Sequence, residues 1–330
     1  MKDYMPRPAF LQAAGRGGKK MWQEALCFLA VFFAASLLQG VVIGIVTSVY
    51  IFGSEEFLTL FGISALTGEA EVSEMLDAVA RLINLVPEGL SLWSLLTTAV
   101  PLAAAIVYCT QIERRSLFSM GIIKKRIAWE YLRGFVIGSM LFVAALSLCL
   151  ACGAVSLSRG TAGFGVLLYL LAFAVQGMSE EILCRSYLMV SVSRRYSLPA
   201  AILFNSFMFM MLHIANNALT VTALLNLFLF GVTASLYMID RGSVWGVGAL
   251  HTAWNFLQGN IFGVPVSGSV MAWAASGSLL TAAMAMPGLA SKVVASRSRL
   301  SMVTLWPCLC VTVIVGSFSC GQRSTTVSPK

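Results

Sequence analysis

The sequence predicts an all-α fold: a polytopic transmembrane helical bundle of about eight spans. Three observations carry this. The 330 residues are 58% hydrophobic and only 11% charged, whereas a soluble domain has about 25% charged residues. Apolar runs of crossing length follow one another closely, and a bilayer core of about 30 Å takes about 20 apolar residues. Lysine and arginine gather in alternate connections, as the positive-inside rule requires.

A basic segment, residues 1–23, comes first, with Lys2, Arg7, Arg16, Lys19 and Lys20. It is too long and polar for a cleavable signal, and the apolar run behind it is longer than a signal h-region. Residues 24–160 form the N-terminal transmembrane part, with expected spans at 24–51, 92–110 and 134–155 and an acidic external loop at 53–91. A short amphipathic helix is conceivable near Ser73–Leu85, and Pro101 is expected to kink the second span. Residues 161–265 hold spans at 163–179, 198–214, 219–239 and 244–262. The first of these should continue through its glutamates to about Val190. Ser197 and Pro199 read as the start of the next helix. Residues 266–330 hold an eighth span at 269–288, a weaker ninth candidate at 302–319 and a polar tail.

Arg114, Arg115, Lys124, Lys125, Arg126 and Arg133 fall on the same side as the N-terminal segment. Arg194, Arg195, Arg241, Lys292, Arg297 and Arg299 join them. The reading is a multi-pass integral membrane protein with a cytoplasmic N-terminus, in the plasma membrane of a bacterium. The net charge of +8 then reflects cytoplasmic loops, and no nucleic-acid partner is expected. The eight cysteines mostly lie in apolar runs, where a thiol acts as a small hydrophobe. Cys149-x-x-Cys152 lacks flanking polar ligands and implies neither redox nor metal chemistry.

Ionisable groups at membrane depth are costly and need partners or a task. The chain has two histidines, and both sit in apolar runs. Three elements stand out: Glu180-Glu181-Ile-Leu-Cys-Arg185, Phe209-Met-Met-Leu-His213 and His251-Thr-Ala-Trp-Asn255. On a helix Glu181 and Arg185 share a face and can pair, while Glu180 points about 100° away. Ser206, Phe209 and His213 share a stripe, as do His251 and Asn255. Gly246 and Gly248 suit close helix packing. Each element alone also fits a bland reading: surface charges at a helix end, a histidine satisfied by a carbonyl, a polar packing contact. Together, two carboxylates, two imidazoles and an amide on three helices suggest a site that handles water and protons.

In order, the three elements resemble the motifs of the CPBP intramembrane proteases, also called the Abi or CAAX-protease family, which include prenyl-protein endopeptidases of the Rce1 type. The Phe228-Leu-Phe230-Gly231 run and the Arg241-Gly-Ser-Val-Trp-Gly approach to His251 also resemble that family. The likeness covers about residues 165–262. It implies an intramembrane endopeptidase with Glu180 as general base on water and His213 holding that water. His251 and Asn255 would stabilise the oxyanion, and Glu181 and Arg185 would fix the helix. It implies a membrane-protein or lipidated-peptide substrate, such as a prenylated CaaX-type chain. The family has been called metalloprotease, and a zinc, if bound, would be held by Glu180, His213 and His251. With no H-E-x-x-H and no further histidine, a metal-free, glutamate-activated water is the preferred reading. Cys184, beside two carboxylates, is poorly placed to be a reactive thiolate. The alternative to an enzyme is a membrane scaffold, an immunity protein or a small transporter; the paired halves of a transporter are not seen.

Overall fold

The computed structural model describes residues 7–53, 91–153, 155–160, 165–216, 221–264, 266 and 280–284. It opens with a short helix, α1 (Ala9–Ala13), whose Phe10 and Leu11 are buried. α2 (Met21–Phe52) follows and leaves Phe33, Leu37, Val41 and Ile45 exposed. Such a face is at ease against lipid tails, which are as apolar as leucine. α3 (Ala99–Val107) continues a helix that starts at Ser91 and ends in a π-helical turn, Tyr108–Ile112. The expected disturbance by Pro101 is a turn at Thr97 and Thr98, within the reach of a proline ring on the preceding helical turn.

α4 (Ile127–Ala151) starts seven residues before the span read at 134–155. α5 (Val166–Glu181) passes without a break through a π-helical stretch, Ile182–Met189, into α6 (Val190–Ser193). α7 (Leu198–Leu212) begins with Ser197 in extended N-cap geometry and Pro199 in the first turn, though without a side-chain cap bond. α8 (Val221–Arg241) and α9 (Val244–Phe256) are joined by a tight connection, and α9 ends in a π-helical turn, Leu257–Ile261. Among the described residues five helices are long and apolar enough to cross a membrane: Met21–Val49, Ser91–Ile112, Ile127–Ala151, Val166–Ser193 and Val221–Arg241. α7 is a shorter apolar helix. With α9, they correspond to the first seven expected spans.

The eighth differs. Leu280–Met284 forms a strand, β2, antiparallel to β1 (Val155–Arg159), with Leu157 opposite Ala282. Over these five residues backbone pairing with β1 stands where helix was expected; the rest of 269–288 lies outside the described residues. The acidic loop, where either a short helix near Ser73–Leu85 or a solvated loop was expected, the ninth candidate and the tail lie outside the described residues.

α9 is the centre of the bundle and packs most extensively on α4 and α5. Glycine makes this possible. A Cβ on Gly134 of α4 would fall 1.9 Å from the Gly246 carbonyl oxygen, and one on Gly138 would fall 2.5 Å from that of Leu250. Across the bundle, Gly231 of α8 lies against Ser206 of α7. These are the backbone approaches that small residues permit in membranes.

The basic connections meet at one end of the bundle. Arg7 donates to the carbonyls of Ser193 and Tyr196 at 2.6 and 3.2 Å. The Trp245 indole donates to the Ile123 carbonyl at 2.7 Å. Arg241 of α8 grips Glu130 of α4 through two hydrogen bonds of 2.7 and 3.1 Å. This agrees with the common sidedness read from lysine and arginine.

Candidate active site

Halfway along the Val166–Ser193 helix, Glu180 and Glu181 sit roughly 20 Å from either end at 1.5 Å per residue. The π-helical continuation, Ile182–Met189, is wholly buried and carries the helix on past the glutamates, as expected from the sequence. π-helical segments often mark functional positions.

Glu181 and Arg185 pair as the spacing predicts, Arg185 Nη1 lying 3.1 Å from Glu181 Oε1, with both side chains fully buried. The Arg185 guanidinium also lies over the Phe209 ring, 4.4 Å from its centroid, a cation–π contact between the first and second motifs. Glu181 Oε1 accepts a second bond of 2.8 Å from His251 Nδ1. A carboxylate can only accept, so the Nδ1 of His251 carries hydrogen. The same logic holds for His213, whose Nδ1 donates to the Phe209 carbonyl at 2.8 Å. Both rings therefore turn Nε2 towards Glu180. Glu180 Oε2 lies 3.7 Å from Nε2 of His251 and 4.0 Å from Nε2 of His213.

All three motifs thus converge on one carboxylate. Glu180 is the most exposed of the group, at 27% of its side chain, while His213 and His251 are at 12% and 7%. It opens onto a cavity of about 340 Å³, lined mainly by apolar residues including Phe32, Leu95, Phe173 and Leu212. His213, Gln176 and Cys184 also touch this space.

Asn255 joins through a residue that sequence reasoning missed. Its Nδ2 donates to Gln176 Oε1 at 2.9 Å, and Gln176 Nε2 donates to Glu180 Oε1. Gln176 thus fixes one oxygen of Glu180 and leaves the other facing the histidines. The available signal was an uncharged polar residue at membrane depth, one helical turn before Glu180.

Glu180, His213 and His251 are the groups that would hold a zinc. Two imidazoles and a carboxylate are suitable donors, but a tetrahedral zinc with bonds of about 2.1 Å sets its ligand atoms about 3.4 Å apart. The observed 3.7 and 4.0 Å are wider. Among the described residues no group of three histidine, cysteine or acidic side chains has metal-holding geometry. As they stand, these groups are spaced more widely than a bound zinc would hold them.

The fold and site define an integral membrane protein with a carboxylate–bis-histidine cluster facing a cavity at mid-span. Residues 162–257 match the family model described as type II CAAX prenyl endopeptidase, Rce1-like. The chain carries an Rce1-like domain over those residues, in agreement with the resemblance read from the motifs. Comparison with curated proteins and with solved structures gave no match.

Proposed function

We propose that the protein is an intramembrane endopeptidase that cuts a membrane-associated protein or lipidated peptide with a water activated by Glu180. The observation that carries this is the convergence of His213 and His251 on Glu180, which lines an apolar cavity together with His213. The Rce1-like domain supports a protease of the CAAX-processing kind. A prenylated or otherwise lipidated C-terminus suits the apolar lining.

The chemistry follows from the hydrogen positions. Glu180 Oε2 and His213 Nε2 are both acceptors and lie 4.0 Å apart. A water hydrogen-bonded to two acceptors at about 2.8 Å each spans that separation. It would donate one hydrogen to each and keep its lone pairs for the scissile carbonyl carbon. Glu180 takes the proton as the water attacks, then returns it to the leaving amine.

The oxyanion needs donors, each worth about 3–4 kcal/mol. Asn255 gives one amide hydrogen to Gln176 and keeps the other. His251 spends its Nδ1–H on Glu181, so its Nε2 donates only when the ring is doubly protonated. Glu181 holds the ring through that bond, much as a carboxylate orients a catalytic histidine elsewhere. No resident metal is assigned, a reading that the wide spacing supports. The end of the bundle with the basic segments is taken as cytoplasmic on the positive-inside rule.

Glu180→Gln keeps the size and removes the base. The test compares peptide termini in membranes expressing wild type or this variant, both inserted at equal levels. New termini are expected with wild type alone, at a rate at least about 100-fold above the variant. Cleavage retained by the variant would remove Glu180 from the role of base. A metal analysis of the purified protein belongs beside it: stoichiometric zinc, lost in His213→Ala, would overturn the metal-free mechanism.

A further inference from the structure

We propose that Asn226 is a further substrate-binding residue of this site, its carboxamide donating to the carbonyl oxygen of the bond that is cut. The inference rests on the protease reading above, since it adds a contact to that reaction.

Asn226 is 2% exposed, and neither its Nδ2 nor its Oδ1 has a hydrogen-bond partner among the described residues. A buried amide with both ends unmade is costly. Another asparagine of the same helix pair shows the ordinary solution: Asn205 of α7 donates to Ser235 of α8 at 3.0 Å.

Two helix registers locate Asn226. Along α7 and α8, which run antiparallel, Asn205 meets Ser235, and Phe209 meets Phe230 with ring centroids 5.6 Å apart. One turn further along this pairing, Asn226 comes level with His213. Along α8 and α9, Tyr237 meets Gly246, and Phe230 meets His251 with centroids 5.0 Å apart. One turn further here, Asn226 comes level with Asn255. Phe230 and Asn226 are four residues apart and share a face of α8. The face that touches His251 is therefore the face that carries Asn226.

Two independent pairings bring an unpartnered amide to the level of the groups assigned to the water and the oxyanion. The ligand its chemistry fits is a peptide carbonyl. Asn255 has committed one amide hydrogen to Gln176 and keeps one, so Asn226 supplies the oxyanion with a further donor.

The test uses the full chain in detergent and two probes: a farnesylated C-terminal peptide, and the same peptide with a methylene in place of the scissile carbonyl. Binding is measured in the Glu180→Gln background, where turnover is blocked. The amide peptide should bind more tightly than the reduced one. Adding Asn226→Leu should weaken the amide peptide about tenfold and leave the reduced peptide unchanged. Thermal unfolding of the unliganded protein gives the second readout. Asn226→Leu should unfold no earlier than its parent, whereas Asn205→Leu should unfold earlier. An unchanged preference for the amide, or an Asn226→Leu protein as unstable as Asn205→Leu, overturns the proposal. So does a protein that binds neither peptide. A wild type that binds with this preference but does not cut would instead refute the protease reading and leave the Asn226 contact standing.

Discussion

Glu181 sits between two partners, Arg185 at 3.1 Å and His251 at 2.8 Å, with no exposure to solvent. A buried pair of this kind is weak support for stability, but breaking it from one side is expensive, about 3–5 kcal/mol, because a charge is left behind. Arg185→Met alone should therefore destabilise the protein by about that amount. Glu181→Gln together with Arg185→Met should cost clearly less, since neither charge remains, although activity should be lost in both. Unfolding in a denaturing-detergent titration reads the difference; a double variant no better than the single one would argue against the pair as drawn. At this scale the candidate site was largely legible. Glu180, Glu181, Arg185, His213, His251 and Asn255 stand out because polar groups are rare in apolar runs, and helical spacing alone pairs Glu181 with Arg185. Gln176 and Asn226 were not legible. Their roles depend on which residue faces them from another helix, and one sequence does not give interhelical register.

Between helices, the decisive contacts are backbone to backbone. Gly134 and Gly138 face the carbonyls of Gly246 and Leu250 on α9, the helix that carries His251 and Asn255. Gly40 and Gly44 on α2 have nothing near the position of an added Cβ. Alanine should thus act in opposite directions. Gly134→Ala forces α4 away from α9, since a carbonyl 1.9 Å from the new methyl cannot rotate aside as a side chain could. It should reduce folded yield and activity together. Gly40→Ala and Gly44→Ala should be neutral or stabilising by up to about 1 kcal/mol through helix propensity. Size-exclusion profiles and thermal unfolding of the three variants test this, and a well-folded, active Gly134→Ala would mean that α4 and α9 are not so close. Span positions were readable from hydropathy over most of the described chain. The π-helical segments were not, because a change from four- to five-residue hydrogen bonding leaves no mark on composition. Nor were β1 and β2: five-residue strands are shorter than the windows that detect spans, and Leu280–Met284 is as apolar as a piece of helix.

Across the whole molecule, the N-terminal segment is part of the fold rather than a solvated leader. Composition hid this, because its basic residues suggested solvent while Phe10 and Leu11 are buried. One of its charges, Lys19, reaches a buried carboxylate, Glu113, at the end of the second span. Glu113 pairs with Arg115 at 2.6 Å, Lys19 at 3.5 Å and Arg194 at 3.9 Å, and accepts from Ser191 at 2.8 Å. Arg115 in turn donates to the Ser186 carbonyl at 3.2 Å in the π-helical stretch that follows Glu180 and Glu181. The segment, the second span and the helix that carries Glu180 and Glu181 are thus tied at one point. Lys19 is held above the ordinary lysine range: burial opposes its charge, but the hydrogen bond with Tyr108 and the carboxylates of Glu24 and Glu113 outweigh that effect. A raised lysine contributes fully below its unfolded value of 10.5 and loses that contribution only as the pH rises through the folded value. Lys19 should therefore hold the segment equally well at pH 6 and pH 9. Glu113→Ala removes the common partner and leaves Arg115 buried without its carboxylate, at a cost of about 3–5 kcal/mol. It should also expose Arg16, Lys19 and Lys20 to trypsin at both pH values, with the wild type protected at both. Protection that survives Glu113→Ala would mean that the apolar contacts of Phe10 and Leu11 hold the segment unaided; protection that fails in the wild type between pH 6 and pH 9 would contradict the assigned role of Lys19.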